Sequence, residues 1–257
     1  MNIMFFTNKG GVREHNEDAM FLAGSIISCC SMAVPVVVDT ESADKCFVVV
    51  DGMGGYHGGD KAANIVASFF SSDAGGWNIP IKAAQEKITR ILETASHKIS
   101  EAVNINPQYN SMGAALAGIV FCSDGILAFN CGDCRVYVQN GEYLEKLTHD
   151  HSVVQELCDR DEITEEEMRT HPLKNVITAC ISQNADDAQV FFRAVHLSQN
   201  HRRYLICSDG VWEAFSLEAI EKCSTKDSVY EAGSSLASCL LNLQTECRDN
   251  ISFIFVE

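Results

Sequence analysis

Residues 117–141 read AGIVFCSDGILAFNCGDCRVYVQNG, and their punctuation decides the fold class. Three apolar runs, Ala117–Cys122, Ile126–Asn130 and Arg135–Gln139, have the β-branched and aromatic content of short strands. Ser123-Asp124-Gly125 and Asn140-Gly141 are tight turn signals, which make antiparallel hairpins rather than parallel crossovers. Similar runs occur at Ile3–Thr7, Cys46–Val50, Gln189–His196, Arg203–Cys207 and Ile251–Val256. Between them, Ile81, Ala84, Ile88, Ile91, Leu92, Ala95, Ile99 and Val103 recur at three- and four-residue steps, the stripe of an amphipathic helix facing a core. Shorter helical patterns lie at Lys61–Phe70, Ser152–Leu157 and Val229–Leu243. Antiparallel strands together with helices give the class α+β.

No Pro- or Ser-rich linker, repeat or low-complexity tract divides the 257 residues, so a single domain over 1–257 is expected. The balance of 19 Lys+Arg against 35 Asp+Glu, a net charge of −16, argues against nucleic acid or an anionic membrane surface as partner. The longest apolar stretch outside a clear strand, Ile26–Val38, is too short to span a bilayer and is broken by Pro35. Twelve cysteines without an N-terminal signal segment read as reduced thiols of a cytoplasmic protein. Cys131 and Cys134 have C-x-x-C spacing, but no second pair accompanies them, so zinc is not expected there.

Carboxylates sit where the apolar runs stop. Phe47–Val50 runs into Asp51-Gly52, Leu127–Cys131 into Gly132-Asp133, and Tyr204–Ser208 into Asp209-Gly210; Asp249-Asn250 and Glu17-Asp18 open apolar runs. One Asp-Gly pair is an ordinary turn. Five such places in packed antiparallel sheets can meet at one rim, and clustered carboxylates stay ionised only with cations among them. Oxygen-only ligands select Mg²⁺, Mn²⁺ or Ca²⁺. Two such ions held close together lower the pKa of a water between them and neutralise phosphoryl oxygens, which suits phosphoester hydrolysis. Arg13, five residues before Asp18, has the bidentate geometry for phosphate.

Seven segments in order, GGVREHNEDAM (10–20), VVVDGMGG (48–55), NCGDCRVY (130–137), LTHDHSVVQEL (147–157), HPLKNVIT (171–178), LICSDGVWE (205–213) and CRDNISFIFV (247–256), resemble the metal-dependent type 2C serine/threonine protein phosphatases, in particular the compact bacterial members. The resemblance implies a four-layer αββα sandwich of two antiparallel sheets flanked by helices. It implies a phosphatase that hydrolyses phosphoserine and phosphothreonine on proteins and reverses a Ser/Thr kinase as a monomer. Asp18, Asp51, Asp209 and Asp249 would serve two Mg²⁺ or Mn²⁺ ions, Gly52 through its carbonyl and Glu17 through a bound water. Asp133 with Asp209 would serve a third ion, and Arg13 would bind the substrate phosphate. Catalysis would thus centre on Arg13, Asp18 and Asp51.

The chain also departs from that pattern. Met53 follows Asp51-Gly52 where some relatives carry a His, Cys134 stands where Ser is usual, and Ala179–Gln183 differs from the family's segment. The longer Asp18-to-Asp51 spacing makes 23–45 a lengthened hairpin or loop, and Asp159–Pro172 resembles a flap. His149-Asp150-His151 leads into a helix with Asp150 or Ser152 as N-cap. The competing class is a catalytically idle binding module, against which the intact acidic set speaks.

Overall fold

In the computed structural model, which describes residues 1–39, 45–55, 58–72, 76–195, 203–243 and 249–257, the strand β5 (Cys46–Met53) is buried on both sides. Cys46, Val48 and Val50 pack into one core, and Phe47 and Val49 into another. Because successive strand residues point to opposite faces, β5 lies in a sheet covered on both sides. The same alternation marks β1 (Asn2–Asn8), with Ile3 and Phe5 in the core shared with Phe47 and Met4 and Phe6 in a third.

One sheet runs β4 (Val36–Asp39), β1, β12 (Ile251–Val256), β11 (Tyr204–Cys207), β8 (Arg135–Asn140), β9 (Tyr143–Lys146). The other runs β10 (Phe191–Val195), β7 (Ile126–Cys131), β6 (Gly113–Phe121), β5, β2 (Ala19–Leu22), β3 (Ser25–Ser28). Every pairing is antiparallel. Helices α1 (Gly58–Ser72) and α2 (Ile81–Ile105) bury Val66, Phe70, Ile88 and Leu92 against the second sheet. On the first sheet, α6 (Leu217–Ser224) and α7 (Val229–Asn242) bury Ile220, Leu236 and Leu240. The result is helix, sheet, sheet, helix. Short helices α3 (Val153–Asp159), α4 (Glu165–Met168) and α5 (Asp209–Trp212) lie in the connections.

Several bounds differ from the sequence reading, each for a physical reason. β5 continues through Asp51-Gly52-Met53 because β6 begins already at Gly113 and supplies partners Ala115, Ala114 and Gly113; the small residues 113–115 lack the β-branched and aromatic signal of a strand. The 23–45 stretch is no simple hairpin: β3 pairs with β2 and β4 with β1, so it forms an edge of each sheet, while 40–44 fall outside the described residues. His196, the end of the Gln189–His196 run, and Cys247 and Arg248 of the last motif lie outside them too. Ser152 is the α3 N-cap, accepting from the Gln155 amide. Asp150 instead holds Arg135 at 2.5 Å and Lys146 at 3.3 Å. Cys131 and Cys134 are buried free thiols in different cores.

Candidate metal centre

Register brings the acidic residues together. β2 pairs with β5 as Ala19↔Val50, so one step further Asp18 stands opposite Asp51. Asp51 shares the alternation of Phe47 and Val49, and Asp18 that of Met20 and Leu22, all in the core between the sheets. In the facing sheet β11 pairs with β8 as Cys207↔Arg135; carried two residues on, Asp209 meets Asp133. Asp249 arrives just before β12, the neighbour of β11. Five strands from two sheets therefore bring carboxylates to one rim.

Their electrostatics show the convergence. Burial first, and then the charges of Asp209, Asp18, Asp133 and Asp249, hold the Asp51 carboxyl well above the usual carboxylate range. Asp209 is pushed well up by burial and then by Asp133, Asp249, Glu213 and Asp18. Burial raises Asp18 to about 7 against hydrogen bonds from Ser252 and Ser208 that favour its charged form, with Asp249 and Glu17 adding to the rise. Ser208 Oγ donates to Asp18 Oδ2 at 3.0 Å, while Asp18 Oδ1 and Asp209 Oδ1 are buried with no hydrogen-bond partner. Buried orphan oxygens of this kind are costly unless a cation completes them.

The carboxylates gathered at the rim are hard oxygen donors of the kind that Mg²⁺ and Mn²⁺ take. Among the described residues no three His, Cys, Asp or Glu side chains close into a preformed cage.

Backbone contacts hold the rim together. A side chain at Gly52 would overlap the carbonyl oxygens of Gly59, in the first turn of α1, and of Glu17, so only glycine lets the three strands of chain meet. Asn250 clasps the N-terminal loop: its Nδ2 donates to the Lys9 and His15 carbonyls at 3.0 and 2.9 Å, and its Oδ1 accepts from the Glu17 amide at 2.8 Å. Asn16 Oδ1 accepts from the Asp18 amide at 3.2 Å. These positioning residues, with Ser208, escaped the sequence reading. Their signal was adjacency to Asp209, Asp249 and Glu17-Asp18, but their partners are more than 180 residues away in several cases, as in Ser208 to Asp18 with a separation of 190.

Arg13 lies at this rim, and its Nη2 donates to Asp249 Oδ2 at 2.7 Å with the Arg13 side chain 51% exposed. Asp249 therefore binds the residue expected to grip phosphate. Asp133 sits at the periphery, 7% exposed, raised to about 7 by burial and Asp150, with Arg135 opposing. Its carbonyl accepts from Trp212 Nε1 at 3.1 Å, and the Arg135 guanidinium stacks 3.6 Å from the centre of that indole. Met53 and Cys134 take no hydrogen-bonding part that would replace a His or Ser; Cys134 is a buried thiol packed beneath the rim.

A pH dependence follows. Asp18 and Asp133 rise from 3.8 to about 7 on folding, so the folded chain holds more protons than the unfolded one between those values. Stability from these groups is present below the lower value and lost as pH rises through the upper. Chelator-treated protein should therefore melt at a higher temperature at about pH 5.5 than at about pH 8. Scanning calorimetry at both pH values checks this, and excess Mn²⁺ should restore the loss at the higher pH.

A family model described as Protein phosphatase 2C matches residues 33–241. The chain is similar to the serine/threonine phosphatase stp of Listeria innocua, 29% identical over 217 residues, covering 82% of this chain and 78% of that one. The crystal structure of the Mycobacterium tuberculosis serine/threonine phosphatase PstP/Ppp superposes with a TM-score of 0.79 at 23% identity, covering 99% of this chain and 98% of that one. The catalytic domain of the phosphatase PstP in complex with two manganese ions gives a TM-score of 0.76 at 22% identity, covering 99% and 98%.

Proposed function

The chain belongs to the protein phosphatase 2C family, and from that premise we propose that it is a metal-dependent serine/threonine protein phosphatase acting through the rim of Asp18, Asp51, Asp209 and Asp249. The observation that carries this reading is the convergence of carboxylates from both sheets with two buried, unpartnered oxygens among them. Its substrates are phosphoproteins. We assign Asp18, Asp51, Asp209 and Asp249 with the Gly52 carbonyl and Glu17 to two core ions, Mg²⁺ or Mn²⁺, and Asp133 with Asp209 to a third. The reading extends to one catalytic domain over 1–257 that acts as a cytoplasmic monomer and reverses a cognate Ser/Thr kinase. No helix among the described residues is long and apolar enough to cross a membrane.

Bound divalent ions supply charge neutralisation for the phosphoryl oxygens and acidify water into a nucleophile at neutral pH. The protein's own part is positional. Asp51 presents its carboxylate between the sheets, Ser208 holds one oxygen of Asp18 and leaves the other directed into the rim. Asn250 fixes the loop that carries Arg13. Arg13, already at the rim on Asp249, can move its guanidinium to phosphate oxygens, because an exposed side chain loses little on exchanging one anionic partner for another. With Met53 where an acid would stand, no side chain of β5 beyond Asp51 can protonate the leaving group.

Turnover of p-nitrophenyl phosphate and of a phosphothreonine peptide, with Mn²⁺ and with chelator, tests the reading; absence of turnover in protein that demonstrably binds metal would overturn it. Arg13→Ala should lower kcat/KM for the peptide by about 10- to 100-fold, as expected for a lost charge-assisted contact of about 1.5–3 kcal/mol. The loss should appear mainly in KM, with partial rescue by Arg13→Lys, since Lys offers charge without the fork.

A further inference from the structure

In the outer helical layer, away from the acidic rim, Cys223 Sγ on α6 lies 3.2 Å from Cys239 Sγ on α7. That is about 1.1 Å longer than a disulfide bond of about 2.05 Å. Cys223 is 9% exposed, and Cys239 is half-buried at the edge of the same apolar cluster. The two helices pack on each other and on the first sheet: Glu221 Oε1 of α6 accepts from the Leu144 amide of β9 at 2.8 Å, and Gly233 of α7 faces Met4 of β1. We propose that Cys223 and Cys239 form an oxidation site at which a hydroperoxide converts the paired thiols into a disulfide that staples α6 to α7.

The chemistry balances. Cys239, the more accessible sulfur, attacks a peroxide oxygen as its thiolate; the O–O bond breaks, giving a sulfenic acid and hydroxide, which takes up the thiol's proton and leaves as water. Cys223 then attacks the Cys239 sulfur; the S–O bond breaks, and the Cys223 proton leaves with the hydroxide as a second water. Two thiols lose two electrons and hydrogen peroxide is reduced to two waters. Burial and the Cys239 contact push the Cys223 thiol up to about 11, which leaves the first attack to Cys239.

Titrate the purified, reduced protein with hydrogen peroxide, block free thiols with N-ethylmaleimide and map peptides without reductant. The expected result is a linked Cys223–Cys239 peptide accompanied by a rise in Tm of about 6–12 °C, the size for closing a loop of about fifteen residues in a chain of this length. Dithiothreitol should reverse both. Cys239→Ser, at a half-exposed position, should fold and lose the link and the Tm rise; Cys223→Ser should do the same. The proposal is overturned if Cys239 is oxidised while Cys223 stays alkylatable, if both stay free while the exposed Cys29 is oxidised, or if the link forms with Tm unchanged. Neither metal nor substrate enters the readout, so the outcome is independent of the phosphatase reading.

Discussion

Asp209→Asn is expected to lower Mn²⁺-dependent turnover about 1000-fold while raising the Tm of the metal-free protein. The two effects have opposite signs because one carboxylate plays opposite parts in the two states. Without cations, Asp209 is repelled by Asp133, Asp249 and Asp18, and its Oδ1 is buried without a partner. An amide of the same shape removes a charge from that cluster and adds two donors facing carboxylates, so relief of about 1 kcal/mol, or about 2–4 °C in Tm, follows. With metal required, the same change deletes the charge that binds it; several kcal/mol of lost transition-state stabilisation is about three powers of ten in rate. Circular-dichroism melts in chelator beside p-nitrophenyl phosphate turnover in Mn²⁺ separate the two. A variant that loses activity together with stability would indicate that Asp209 serves the fold instead.

Gly52→Ala should lower Tm by about 6–12 °C, corresponding to about 3 kcal/mol in a chain of this length. The added methyl would meet two backbone oxygens, Gly59 O and Glu17 O, and neither can swing aside as a side chain could. The strand cannot shift either, because Gly52 is held in register with Ala114 of β6. Any accommodation moves the N-terminus of α1 or the Glu17-Asp18 turn, so Mn²⁺ affinity should fall as well. Gly55→Ala is the matched control: among the described residues nothing lies within 4 Å of a side chain built there, and its effect should stay within about 0.5 kcal/mol. Equal thermal shifts for the two variants would contradict the close-approach argument.

Much of the architecture could be read from the chain because it depends on local periodicity. The apolar run Cys46–Val50 and the helical stripe from Ile81 to Val103 survive in the structure as β5 and a face of α2. What escaped was what depends on pairing. The strand around Asp51-Gly52-Met53 forms only because Gly113-Ala114-Ala115 is small enough to lie beside it, and the 23–45 stretch divides between two sheets because β2 and β1 each offer a free edge. The acidic residues were recognisable by their positions at strand ends. The Asn250 clasp, the Ser208 contact to Asp18 and the pairing of Arg13 with Asp249 were not, because each joins residues more than 180 positions apart and neither propensity nor spacing encodes it.

The central claim is that carboxylates from both sheets form one divalent-metal rim. Isothermal titration of metal-free protein with Mn²⁺ tests it most directly. At least two ions per chain are predicted for the wild type, with at most one retained by Asp209→Asn. A wild-type chain that binds no Mn²⁺, or an Asp209→Asn isotherm that overlays the wild type, would contradict it.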